Sequence, residues 1–142
     1  MFRRIAGGML LCVMGALAVG CGDNVNPIVP DATPITETFT GSVNAAGGST
    51  HSFITLTGGP IKATLTAVGP DPAKNIGFSL GTFNTTLNTC TAVFDNPAAL
   101  QAFEFNVTAS SIGAYCVRIY DNGNVTTDNV AYTYTITVIH PQ

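Results

Sequence analysis

From Thr36 to the end of the chain, apolar side chains recur at every second position, and this period of two constrains the fold more than any other feature. An amphipathic helix repeats them at i, i+3 and i+4, whereas a half-buried strand alternates them. Thr, Val, Ile, Phe and Tyr fill the alternating segments, and Gly, Asn, Asp and Pro fill the gaps. The pattern predicts strands over 37–43, 50–57 and 61–68, the third with Ile61, Ala63, Leu65 and Ala67 on one face. A fourth follows on Ile76, Phe78 and Leu80, and a short fifth over 90–94 ends before Asn96-Pro97. Phe103, Phe105 and Val107 mark a sixth; Tyr115, Val117 and Ile119 mark a seventh, opposite Cys116, Arg118 and Tyr120. The last covers 132–139, with Tyr134, Ile136 and Val138 inward and Thr133, Thr135 and Thr137 outward. A short Ala-rich helix over 96–101, behind Pro97, is the one helical candidate. About eight short strands with regular turn signals imply an all-β protein, an antiparallel β-sandwich.

Composition agrees with a folded domain of unusual surface. The 142 residues suffice for one domain with a sizeable core. Only 9% of them are charged, against about 25% in a typical soluble domain. Outward threonines account for part of the difference, because a β-branched hydroxyl is polar without being ionic. A net charge of −3 argues against a nucleic-acid partner, which calls for a basic stripe.

The N-terminus reads as an address. Arg3 and Arg4 precede a charge-free apolar stretch over 5–19, too short for a bilayer core that needs about 20 residues. Residues 1–20 therefore form a signal peptide. Leu17-Ala18-Val19-Gly20-Cys21 resembles the lipobox of bacterial lipoproteins, although Ala18 stands where Leu is commoner. The resemblance implies a diacylglyceryl thioether on Cys21 and an amide-linked acyl chain, hence firm membrane anchoring. Gly22 after the cysteine implies the outer membrane, facing the periplasm or the cell surface. Ala18-Val19-Gly20 also suits ordinary signal peptidase, which would release a plain secreted protein at the same bond. Residues 21–35 then form the lipidated terminus and a tether interrupted by Pro27, Pro30 and Pro34, either a semi-rigid spacer or a stub without a spacing role. Cleavage removes Cys12. If Cys21 carries lipid, Cys90 and Cys116 are left to pair in an oxidising compartment, closing a loop worth about 3.5 kcal/mol; the alternative is two free thiols.

Residues 36–142 form the domain. Its opening Phe39-Thr40-Gly41-Ser42-Val43, the strand with His51-Ser52-Phe53, and Gly59-Pro60-Ile61-Lys62-Ala63-Thr64-Leu65-Thr66 come in a recognisable order. They are followed by Gly113-Ala114-Tyr115-Cys116-Val117-Arg118-Ile119 and the closing Tyr132-Thr133-Tyr134-Thr135-Ile136-Thr137-Val138. The series resembles the bacterial pre-peptidase C-terminal domain, which implies a jelly-roll-like sandwich. Members of that family flank exported peptidases, and some bind collagen, carbohydrate or calcium. Its motifs are strand patterns, so the resemblance transfers fold and not activity.

Two catalytic signatures are missing: there is no His-Glu-x-x-His and no Cys-x-x-Cys. His51 and Ser52 are strand neighbours and point to opposite faces. His140 lies near the C-terminus, where chains fray. Glu37 and Glu104 stand isolated on strands, so no carboxylate pair is expected. Asp121 and Asp128 bracket an oxygen-rich loop that offers a weak calcium site or, more simply, a turn using Asn and Gly. Arg118 and Tyr120 share a strand face and offer a small ligand-binding patch against ordinary surface decoration. The expectation is a non-enzymatic, lipid-anchored envelope module with a protein or polysaccharide partner and no obligatory cofactor. The alternatives are a calcium-assisted carbohydrate or matrix-protein binder and an accessory subunit of an exported hydrolase.

Overall fold

A computed structural model describes residues 32–125 and 130–142. The expected signal peptide over 1–20, Cys21, most of the expected tether and Asp128 lie outside the described residues. Eight strands follow in order: β1 (Pro34–Val43), β2 (Gly48–Thr55), β3 (Gly59–Gly69), β4 (Ile76–Asn84), β5 (Thr89–Ala99), β6 (Glu104–Ala109), β7 (Gly113–Tyr120) and β8 (Tyr132–Pro141). They build two four-stranded sheets, ordered β1-β8-β3-β6 and β2-β7-β4-β5, and every pairing is antiparallel. The chain changes sheet at every connection except the β4–β5 hairpin, which is the jelly-roll arrangement. The all-β, antiparallel, jelly-roll-like sandwich is thus the observed fold.

Alternation decides which side chains meet between the sheets. Ile61, Leu65, Ile136 and Val138 from the first sheet face Phe78, Leu80, Val117 and Ile119 from the second, all fully buried. Each such side chain contributes about 1.5–3 kcal/mol relative to exposure. Outward, Thr36, Thr38 and Thr40 of β1 lie beside Ile139, Thr137 and Thr135 of β8. The first sheet therefore presents a field of hydroxyls, with Lys62 and Glu104 as an ion pair at 2.7 Å.

Several local expectations are corrected. Ala67 does not continue the buried face of β3: a bulge between Leu65 and Ala67 turns it outward and brings Val68 in. Residues 96–101 do not form a helix. β5 runs on to Ala99, and Asn96-Pro97 lies within it, tolerated because β5 is an edge strand. Pro34 and Ile35 belong to β1 rather than to the tether. His140 does not fray, because β1 pairs with β8 as far as Pro34 and Pro141.

Cys90 and Cys116 form the expected disulfide, with Cys90 half-buried on the edge strand and Cys116 0% exposed beneath it. The two cysteines sit on β5 and β7, which flank β4. Strands two places apart in a flat sheet are separated by about 9.6 Å, yet these Cα atoms are 5.8 Å apart. β5 must therefore curl onto the outer face of β4. It does so at the register shift beside Gly81, where any Cβ would overlap the Thr91 carbonyl.

One end of the sandwich gathers the start of β1, the finish of β8 and the β2–β3, β4–β5 and β6–β7 turns. This is the N-terminal end of the sandwich. The other connections lie at the opposite end.

Gly81→Ala is expected to cost the oxidised protein about 1–3 kcal/mol by overpacking. In a Cys90→Ala/Cys116→Ala background the cost should shrink, since β5 is then free to lift. Urea unfolding of the four chains gives the coupling; equal costs in both backgrounds would refute the link.

Candidate functional site

The outer face of the second sheet is built around β7. Arg118 and Tyr120 project from it on the same side, as alternation requires. The Arg118 guanidinium carbon stands 5.1 Å from the centre of the Tyr120 ring, and Arg118 is exposed. The Tyr120 ring lies across Gly77 of β4, a position where a Cβ would overlap it. Its hydroxyl donates to the Asp95 carboxylate, with both oxygens at 2.9 Å. Burial, then the neighbouring Asp95 carboxylate, push the Tyr120 phenol above its ordinary range, with Arg118 pulling the other way. Asp95 completes a triad that sequence reasoning missed. No local signal joins it to Tyr120, 25 positions away; only the β4–β5 and β4–β7 registers do, both of which place a partner opposite Ser79. Ser79 is itself buried, and its hydroxyl has no hydrogen-bond partner.

This arrangement is partly self-satisfied. Tyr120 cannot offer a free ring face toward Gly77, and its hydroxyl is committed. The guanidinium keeps donors for an incoming carbonyl, carboxylate or sugar hydroxyl. Around it lie Thr50 and Ser52 of β2, both exposed. The geometry suits shallow recognition of a polar polymer or a protein surface, not enclosure of a small molecule. A separate apolar groove of about 190 Å³ runs between the β5 and β6 edges, lined by Leu80, Val93, Phe94, Val107 and Tyr115 among others.

Asp121 has a different occupation. One carboxylate oxygen accepts from Ala46 N at 2.7 Å; the other accepts from Gly123 N at 2.8 Å and Val125 N at 3.0 Å. Its own N–H donates to Gly47 O. The side chain thus ties the β1–β2 turn, where Ala46 has φ 57°, to the β7–β8 connection. Gly123, at φ 94°, supplies the left-handed residue expected of a turn. Burial would raise the Asp121 carboxyl, but donors from Val125, Ala46, Gly123 and Asn124 outweigh it and hold the group below its ordinary 3.8. Asp128, the other expected calcium ligand, lies outside the described residues. Among the described residues, no group of three or more His, Cys, Asp or Glu is placed to hold a metal ion.

Both histidines are used inside the sandwich. His51 Nε2 lies 2.7 Å from the Tyr134 hydroxyl, and its ring stacks on Phe39 at 4.9 Å. Burial lowers its affinity for a proton. His140 is 0% exposed, with Nε2 at 2.9 Å from Glu37 and its ring 4.9 Å from Phe53. Glu37 is therefore not isolated, and neither is Glu104, which is held by Lys62 and Asn106.

Two limbs of pH dependence follow. His51 binds its proton less readily folded than unfolded, so stability should fall as pH drops below about 6.5 toward the folded value. Asp121 is depressed in the fold, so its contribution is present above 3.8 and lost as pH falls through the folded value. Urea midpoints across pH 2–8 should lose the upper limb in His51→Asn and the lower limb in Asp121→Asn. Asp121→Asn should also cost about 1.5 kcal/mol at pH 7. A midpoint profile unaltered by either change would contradict these roles.

No family model matches the chain, and no curated protein matches it. Among solved structures, it is similar to the pre-peptidase C-terminal domain of a collagenase from Bacillus anthracis: 18% identity, 73% of this chain and 89% of that one covered, TM-score 0.49. It is similar to the mitogen derived from Yersinia pseudotuberculosis: 16% identity, 76% and 87% covered, TM-score 0.51. It is also similar to PliG, a periplasmic inhibitor of g-type lysozyme from Aeromonas hydrophila: 11% identity, 77% and 88% covered, TM-score 0.49. At these identities the likeness is one of fold. The disulfide independently points to an extracytoplasmic compartment.

Proposed function

We propose that the protein is a lipid-anchored, non-catalytic binding module of the bacterial outer membrane, taking an envelope polysaccharide or protein on the outer face of its second sheet. The observation that carries this reading is Arg118: an exposed guanidinium held beside Tyr120 and Asp95, with Thr50 and Ser79 at the paired positions on either side. A positioned cation next to an aromatic ring is a recognition element, since planar donors and a ring can engage a polymer without a deep pocket. Among the described residues, His51 is partnered by Tyr134, His140 by Glu37, Glu104 by Lys62 and Asp121 by main-chain donors, while Ser79, at the centre of Gly77-Phe78-Ser79-Leu80-Gly81, is buried within β4; these placements support the non-catalytic part. The lipobox-like sequence supports the anchor. Calcium assistance would have to enlist Asp128 together with main-chain oxygens, since the Asp121 oxygens already accept backbone hydrogen bonds.

Two measurements test the reading. Metabolic labelling with a clickable fatty acid should mark the wild-type chain and not Cys21→Ala; equal labelling of both would remove the anchor. A crosslinked pull-down from intact envelope should recover a partner with wild type and lose it about thirtyfold with Arg118→Glu, the size of a hot-spot loss of ~2 kcal/mol. Undiminished recovery by Arg118→Glu would remove this face from binding, and recovery of an exported hydrolase would favour the accessory-subunit reading.

A further inference from the structure

The two ends of the sandwich differ in chemistry. At the N-terminal end, three turns run Leu56-Thr57-Gly58, Thr85-Thr86-Leu87-Asn88 and Ser110-Ser111-Ile112. None contains Asp, Glu, Lys or Arg. Each carries one large aliphatic side chain turned to solvent: Leu56 is 60% exposed, Leu87 68% and Ile112 67%. The turns belong to one surface. Gly58 packs against the carbonyls of Ala109 and Ser110, and Thr55 Oγ1 reaches Ser111 O at 3.4 Å. The β4–β5 hairpin flanks the same apolar groove as Thr108, Ala109 and Ser110. The opposite end also exposes apolar groups, Leu100 and Val130, but among Asp71, Lys74 and Asp121.

We propose that the N-terminal end docks on a lipid bilayer, with Leu56, Leu87 and Ile112 entering the headgroup–acyl boundary. The inference rests on the anchored reading given above. Its first support is where β1 begins: Pro34 lies at this end, so the chain that follows Cys21 joins the domain here. Even fully extended, the stretch from Cys21 to Ala32 spans only ~40 Å, which keeps this end within that distance of an anchoring membrane. The second support is the chemistry of the tips. Separate aliphatic side chains rimmed by Thr, Ser, Asn and Gly gain from apolar burial and leave hydroxyls and amides at headgroup level. A protein partner would be recognised through aromatic or Arg anchors, and these turns hold neither. With no charged side chain on the tips, contact should not need anionic lipid.

The test places single cysteines, labelled with an environment-sensitive fluorophore, at Leu56, Leu87, Ile112 and, as the control, Lys74. The acylated full chain is bound to phosphatidylcholine vesicles carrying spin-labelled acyl chains. The three turn positions should be quenched at least threefold more than position 74. Equal quenching at all four positions, while the chain still floats with the vesicles, would overturn the docking and leave the anchor intact. The non-acylated mature chain, Cys21→Ser, separates the two readings further. It should sediment weakly with the same vesicles and lose about tenfold in partitioning when Leu56, Leu87 and Ile112 are all changed to Ser; circular dichroism confirms that the triple variant is folded. Partitioning unaffected by the triple change would refute the insertion. Shielding of the labels in intact envelope but not on vesicles would also refute it, in favour of a protein partner.

Discussion

A covalent bond between the two strands that flank β4 can close only if one of them leaves the plane of the sheet. That requirement organises the second sheet. Cys90 on β5 reaches Cys116 on β7 because β5 folds across β4, and β4 permits this because residue 81 has no side chain. Covering β4 on its outer face buries Gly81 and Ser79 as well as the inward Phe78 and Leu80. The same curl brings Asp95 within reach of Tyr120, so the acidic member of the Arg118–Tyr120–Asp95 group is a consequence of the staple. A strand central in its sheet and covered on both faces is a feature of parallel sheets more than of antiparallel sandwiches. Here a disulfide and two glycines create it locally.

The strands were legible in the sequence because a side-chain period of two leaves little freedom about which face is buried. Tyr134, Ile136 and Val138 turn inward as read, and Val117 and Ile119 do the same on β7. What alternation cannot report is coverage. It placed Cys116 on the outer face correctly and could not show that β5 lies over that face. It carried Ala67 inward because a bulge leaves no mark in a run of small apolar residues. Asn96-Pro97 read as a break because Pro is excluded from central strands, but an edge strand has no partner to lose there. His140 read as a fraying end because its partner, Glu37, is 103 positions earlier.

The candidate sites divide along the same line. Arg118 and Tyr120 share a face by local spacing alone, so they could be named from the sequence. Asp95 could not. Asp121 was visible as an acidic loop residue, yet its occupation by Ala46, Gly123 and Val125 depends on the β1–β2 turn folding back on the β7–β8 connection. The asymmetry between the two ends is a property of topology. Leu56, Leu87 and Ile112 are unremarkable singly and form one surface only because the jelly-roll order collects their turns.

The hydroxyl field on the first sheet has a kinetic consequence. Charged proteins draw their partners in by long-range fields, and association can then approach 10⁸–10⁹ M⁻¹s⁻¹. Thr36, Thr38, Thr40, Thr135 and Thr137 carry no such field, and the neighbouring Lys62–Glu104 pair is neutral overall, so encounters at this face proceed near the unsteered rate, ~10⁵–10⁶ M⁻¹s⁻¹, with weak dependence on ionic strength. A module of this kind does best when its partner is already concentrated beside it. The proposed anchor would supply that proximity, replacing attraction at a distance with a search in two dimensions.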